Sequence, residues 1–444
     1  MEWATLSVSL IGLMLALSLR PAYSLSAYLA VLFLYPQYLR VSLGTIDISA
    51  SRIVITALLL RCLLDYKLVH RFRWKRIDTY VVISVGVYTV SILVNTPFEI
   101  AVENRGGFLM DALFVYLATR WIVVDRSSFT AVAKTLALII VPLALVGAVE
   151  SLTGLAPFAA LHEYCPWAPK ALTTLERQGI YRAMGPDSHP IMFGMGFAIV
   201  LPIVWVLRHE RGAWGASCYA VTVGAVIGVL SSVSSGPYLQ LGVVAVALVL
   251  ERYKNLVRPL LTVILLGCIT MGFMSNRRIW YILAEMAFDA ENGWYRARLI
   301  DVALEKLPEY WAFGYGLTTD PGWGPDIVGL PNTDIVNEYV LTAVRHGCAG
   351  VLMLFVVLAV SLLGLYRTHR STTDPWLHSA TWAIGASLVG VLVLFWTVSI
   401  HEPMILYFLL GLAGALAAPA RPRAAREIQC FGRLPGRERL PCAP

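Results

Sequence analysis

The stretch His70-Arg71-Phe72-Arg73-Trp74-Lys75-Arg76 separates two long apolar runs, and the rest of the chain repeats this alternation on either side of it. A bilayer accepts apolar helices of roughly 20 residues, and short loops rich in Lys and Arg stay on the cytoplasmic side. Apolar runs fall near residues 4–19, 24–39, 50–66, 78–94, 108–124, 129–149, 189–207, 214–231, 237–250, 256–274, 338–365, 379–398 and 403–418, which predicts about thirteen helices. Placing the gap at 67–77 in the cytoplasm also places there the gaps with Arg208 and Arg211, with Arg252 and Lys254, and with Arg367 and Arg370, together with the Arg-rich tail from Arg421. The first two runs are short and the second contains Pro36, so the count is twelve or thirteen.

Composition agrees. The 444 residues are 58% hydrophobic and only 14% charged, with mean hydropathy +0.68, which excludes an ordinary soluble protein. The net charge of +7 is dispersed over short loops and a tail; the positive-inside rule accounts for it, and nucleic acid is not an expected partner. The 7 cysteines have no paired spacing, and only Cys165 sits well inside an outer loop, while Cys430 and Cys442 fall in the tail. Neither a disulfide framework nor a zinc site is expected. The first apolar run lacks the preceding basic region of a signal peptide and reads as a retained helix.

The fold class predicted is all-α, a polytopic transmembrane bundle of about 12–13 helices with a large periplasmic loop that carries an amphipathic helix. Its parts are N-terminal transmembrane helices (1–149), a first long outer loop with the central helices (150–274), a large outer loop (275–337), C-terminal helices (338–418) and a disordered basic cytoplasmic tail (419–444). Short outer turns are expected at 95–107, 231–236 and 399–402. Connections as long as 150–188 and 275–337 are uncommon and usually functional, and these two are rich in Trp, Tyr, Arg, Asp and Pro. In the second, Leu299, Val302, Ala303 and Leu307 recur at helical spacing from Trp294 until Pro308, which predicts a helix lying on the outer membrane surface.

Three constellations carry the candidate chemistry. Tyr181-Arg182-Ala183-Met184-Gly185-Pro186-Asp187-Ser188-His189-Pro190 stands where an outer loop meets a helix; Arg182 there could hold a phosphate or merely snorkel, and His189 could join it or cap the helix. Trp294-Tyr295-Arg296-Ala297-Arg298 opens the amphipathic helix and is followed by Gly314-Tyr315-Gly316; arginines at i and i+2 diverge, so at most one faces a buried substrate. Asn332-Thr333-Asp334-Ile335-Val336-Asn337-Glu338-Tyr339 runs into Val340-Leu341-Thr342-Ala343-Val344-Arg345-His346-Gly347; Asp334 and Asn337 suit capping as well as catalysis. Arg52, Asp111 and Arg120 lie within apolar runs, and their cost there predicts pairing inside the bundle. Asp289 and Glu291 make only a lone acidic pair, so no metal site is expected.

In these three places the chain resembles the O-antigen ligase and Wzy-type polysaccharide polymerase superfamily of bacterial inner membranes. The matching residues are Arg182, Gly185, His189 and Pro190; Arg296 or Arg298 with Pro308, Gly314 and Gly316; and Asn337, Tyr339, Val340 and His346-Gly347-Cys348-Ala349-Gly350. Val336 stands where ligases have a histidine, and Asp334 is the natural substitute, which favours polymerase over ligase. The resemblance implies cofactor-free, metal-independent glycosyl transfer from an undecaprenyl-pyrophosphate-linked glycan to a sugar hydroxyl at the periplasmic face. It implies Arg182, Arg296, Arg298 and His189 on the pyrophosphate, Asn337, Tyr339 and Tyr315 on the glycan, and Asp334 and Glu338 as catalytic carboxylates, Asp334 being the base for the acceptor's proton. Membrane lipid, a chain-length regulator and other polysaccharide-export proteins are the expected partners. The alternatives are a ligase acting on lipid A core or protein, a lipid-linked sugar transporter or flippase, and a non-catalytic assembly scaffold.

Overall fold

The computed structural model describes residues 1–44, 46–164, 176–177, 179–285, 290–329, 331–400 and 402–417. Cys165, Asp289, Cys430, Cys442 and the tail 419–444 lie outside them, as does the side chain of Glu291. The principal helices are α1 (Glu2–Ser18), α2 (Pro21–Leu34), α3 (Ala50–Leu64), α4 (Arg76–Asn95), α5 (the consecutive pieces Phe98–Leu109, Met110–Phe114 and Val115–Ile122), α6 (Arg126–Thr153) and α7 (Pro190–Trp205). They continue with α8 (Ala213–Ser231), α9 (Ser235–Arg252), α10 (Val257–Met274), α11 (Ala290–Glu305), α12 (Glu338–Ser371), α13 (Pro375–Leu394) and α14 (Met404–Leu416). Short helices at Tyr66–Arg71, Ile279–Glu285, Leu307–Tyr310 and Gly324–Ile327 and two small antiparallel hairpins, Arg40–Leu43 with Ile46–Ser49 and Glu176–Arg177 with Ile180–Tyr181, accompany them. The protein is all-α, and among the described residues 7 helices are long and apolar enough to cross a membrane.

Each predicted apolar run coincides with one of these helices, with two informative shifts. The second run stops at Leu34 because Pro36 cannot extend it, and the chain turns into the first hairpin. The short turn expected at 95–107 is instead the first half of α5, beginning at Phe98. Its Glu99, Glu103 and Asn104 are exposed while Ala101 and Arg105 are buried, so a polar helix passes for a loop by composition although its inward face packs. A π turn at Met110–Phe114 then rotates Asp111 toward Arg52, which it meets in a two-pronged ion pair at 2.9 and 2.6 Å.

The basic gaps gather at one end. Lys75 Nζ donates to the carbonyls of Gly414 and Ala415 at the end of α14, Arg126 pairs with Glu210, Arg208 grips Glu251 and Ser379, and Lys254 reaches His378. Between these gaps and the middle of the bundle, Arg120 pairs with the fully buried Asp78, so this predicted intramembrane cation does have its partner. At the opposite end Asn95 donates to the Phe313 carbonyl, Arg182 and Ala183 bond Ser234 and Ser231, and residues 395–400 hold Glu338.

The amphipathic helix exists as α11, but its apolar face does not lie on lipid. Leu299 and Val302 are fully buried against Tyr310, Trp323, Ile327, Ile335, Leu341 and Val344. The segment between α10 and α12 thus supplies its own small core and folds as a cap over that end, the helix's apolar face being covered by the aromatic loop and the start of α12.

Helix α12 is not one straight span. Gly347 has φ 67° and ψ −169°, outside helical space, and the chain reverses there. Tyr339 and Phe355 are 355 − 339 = 16 residues apart, about 24 Å along a straight helix, yet their rings stack with centroids 5.3 Å apart. Residues 338–346 therefore form a re-entrant arm beside the descending helix 348–371. Irregular backbone at such depth is tolerated where protein covers it or it borders a cavity; here both hold.

Candidate functional site

The arm walls a cavity of about 250 Å³. Arg52 from α3, Ser84 and Tyr88 from α4, Asn104, Arg105 and Asp111 from α5, and Glu338, Thr342, Arg345 and His346 from the arm all line it, with Leu317 from the cap. Three guanidiniums thus face two carboxylates. Arg52 is taken by Asp111. Arg345 Nε donates to the Thr318 carbonyl at 3.3 Å, and Arg105 donates to the Tyr88 carbonyl and the Asn104 side chain while stacking on Phe108 at 4.6 Å. Neither has a carboxylate within ion-pair reach among the described residues. Carbonyl oxygens hold these forks in place without neutralising them, which leaves two desolvated cations able to take an anion.

Glu338 is fixed from three sides. Its backbone N–H donates to the carbonyls of Phe395 and Val398, and its carboxylate accepts from Ile400 N at 2.6 Å and from the Thr342 hydroxyl at 3.4 Å. An ionised carboxylate has about four acceptor sites, so two remain for a hydroxyl in the cavity. Deeper in, His346 Nδ1 meets Ser91 Oγ at 2.7 Å and its ring stacks on Tyr88 at 4.5 Å.

Of the sequence-predicted site residues, Glu338 alone lines this cavity. Asp334 is exposed, its backbone N–H and carbonyl both held by the Tyr295 hydroxyl at 2.9 Å, so the apolar surroundings a base would need are not there. Asn337 is the N-cap of the arm, accepting from Val340 N, and Tyr339 spans to the Leu392 carbonyl. Tyr315 bonds Glu309 and packs against Tyr310 and Trp323 within the cap. Gly314 serves the protein backbone rather than a ligand: at φ 75° it lies so close to Arg345 that an added Cβ would sit 2.4 Å from that residue's carbonyl carbon.

Arg298 turns outward to Glu305 and the Asp326 carbonyl, as divergent i, i+2 positions require, and Arg296 is partly buried on α11. His189 is exposed and caps α7 through Ile191 N. Arg182 donates to Ser234 at 2.8 Å, its Nε has no hydrogen-bond partner among the described residues, and burial together with Arg177 pushes its pKa down. It lies off the cavity, as a second half-buried cation at the same end of the bundle.

Just behind the Arg52–Asp111 pair stands Glu402, in the connection between α13 and α14. Burial and the charge of Asp111 push its pKa up to about 7, against the opposing pull of Arg40 and Arg52; Asp187, raised in its turn by burial and by Glu402, shares a small apolar niche with it. An acid raised in the folded state holds a proton that the unfolded chain, titrating near 4.3, has released. Its contribution to stability is complete below that value and is lost as pH rises to about 7. The melting temperature of the purified protein should fall between pH 5 and pH 8, and Glu402→Gln should flatten the fall; an unchanged slope in the variant would assign the dependence elsewhere.

No protein-family model matches this chain, and no curated protein is significantly similar to it. The site is therefore read from its own chemistry. Two of its cations escaped the sequence reading. Arg345 lies in the 340–347 stretch, where no local feature marks it, and Arg105 lies in the polar gap at 95–107, where Arg105-Gly106-Gly107 directly before an apolar run is the available signal.

Proposed function

We propose that this protein is a polymerase of surface polysaccharide in a bacterial inner membrane. It moves an undecaprenyl-pyrophosphate-linked glycan onto a sugar hydroxyl at the periplasmic face. The observation that carries the reading is the juxtaposition, in one cavity, of the unneutralised Arg105 and Arg345 with the carboxylate of Glu338. The cavity also opens among the segments opposite the basic gaps, which is the periplasmic end under the positive-inside rule.

Outside the cytoplasm no nucleotide sugar is available, so the leaving group must arrive with the donor, and a lipid diphosphate is such a group. Arg105 and Arg345 would fork onto its oxygens and stabilise the charge that grows as the glycosidic bond breaks. Glu338 would take the acceptor hydroxyl's proton as that oxygen bonds to the anomeric carbon; the bond to the diphosphate breaks with its electron pair on the phosphate oxygen, and the lipid diphosphate leaves. A space of about 250 Å³ suits a diphosphate and the reacting end of the sugar, with the remaining glycan outside under the cap. Arg182, half-buried at the same end, would meet the lipid-linked donor on its way in.

The ligase alternative differs only in acceptor. One observation favours a transporter: the broken helix at Gly347, beside charged side chains, is a device that transporters of charged substrates use. Purified protein incubated with a lipid-linked repeat unit, without metal, should yield glycans of two and more repeats. Transfer that occurs only when lipid A core is supplied would make it a ligase, and movement of intact donor across a vesicle without elongation would make it a transporter.

A further inference from the structure

At the basic end, away from the cavity, α8 and α9 meet at their shared turn around Ser231–Ser235 and splay apart toward Tyr219 and Arg252. The opening holds about 760 Å³ over a floor made by Leu201 and Trp205 of α7. Its walls are apolar, from Val226 and Leu241 at depth to Leu248 and Val249 above. Protein interiors are close-packed, and an apolar void of this size facing a bilayer fills with hydrocarbon rather than water.

The mouth changes character. Trp205 meets Tyr219 edge to face at 5.5 Å, Arg208 lies over the Trp205 ring at 4.9 Å, and its Nη2 reaches both oxygens of Glu251 at 2.7 Å. That pair is self-neutralised. Arg252 and Tyr253 remain exposed on the rim, so the charge left facing the headgroup layer is positive, with aromatic rings at the level where hydrocarbon gives way to water.

We infer that the α8–α9 groove is a binding site for one anionic phospholipid of the cytoplasmic-side leaflet. An acyl chain lies between the helices, and the phosphate sits against Arg252. The site requires the membrane reading but not the glycan chemistry, so it stands or falls independently of the cavity.

The test uses full-length protein in nanodiscs of equal parts phosphatidylglycerol and phosphatidylcholine, carrying the photo-crosslinker p-benzoylphenylalanine at Ala245, which is exposed in the groove. Lipid adducts at Ala245 should be enriched in phosphatidylglycerol at least threefold over the bulk ratio, and Arg252→Gln should return them to it. The same crosslinker at Leu265 on α10, a helix with no buried residue, should report the bulk ratio in both proteins. Bulk-ratio adducts at Ala245 in the wild type, an enrichment indifferent to Arg252→Gln, or adducts to protein in place of lipid would each overturn the assignment.

Discussion

Arg345→Ala is expected to lower glycan elongation by purified protein about 100-fold or more, the size of effect that follows loss of one fixed donor to a developing negative charge. Arg105→Ala should act alike, since its guanidinium faces the same cavity without a carboxylate partner. Glu338→Gln keeps the shape of the site and the Ile400 contact, so it should leave the apparent KM for the lipid-linked donor within about threefold while elongation falls by about 100-fold or more. Arg345 also braces the cap through Thr318; Arg345→Lys, which restores charge without the fork, and a melting curve for each variant separate chemistry from folding. Arg182 lies off the cavity, and Arg182→Ala should cost less than about tenfold. Full elongation in Arg105→Ala and Arg345→Ala beside a dead Arg182→Ala would move the site to the 182–189 junction.

The second large effect is structural. Gly347 combines φ 67° with ψ −169°, a region essentially reserved for glycine, where any other residue carries about 1–3 kcal/mol of strain. An added Cβ would also stand 2.4 Å from the Ala312 carbonyl oxygen, a backbone atom that cannot swing aside. Gly347→Ala should therefore destabilise the protein by about 3 kcal/mol or more and displace the arm that carries Glu338 and Arg345. Thermal unfolding in detergent would show it as a clear drop in melting temperature, with Gly385→Ala, whose new Cβ meets nothing within 4 Å, as the matched control. Native stability and elongation in Gly347→Ala would mean that the chain does not reverse at this residue.

Several features were legible before any coordinates. The membrane class and the helix positions follow from apolar run length, because hydrocarbon imposes one length scale on every span. The ion pairing of Arg52, Asp111 and Arg120 follows from the cost of an unpaired charge in an apolar run. Glu338 was visible as an acid at a helix start, though nothing local distinguished it from Asp334, four residues before it. The two differ because Glu338 is half-buried and held by residues 395–400 while Asp334 stays on the cap surface beside Tyr295, and both partners are remote in sequence. The amphipathic helix was likewise visible, but its period shows only that one face must be covered, by lipid or by protein.

The alternation of apolar runs with basic gaps by itself determined that this is an all-α membrane protein whose basic gaps share one end, since burial and charge act on composition within a window shorter than one span. The reversal at Gly347 was left to tertiary structure, because a glycine inside a helical pattern is compatible with a straight helix until another segment, here Trp311 to Tyr315, occupies the space beside it. So was the meeting of Arg105 with Arg345 and Glu338: Arg105 lies more than two hundred residues before the other two in the chain, and only the packing of α4, α5 and the folded-back arm brings their charges into one cavity.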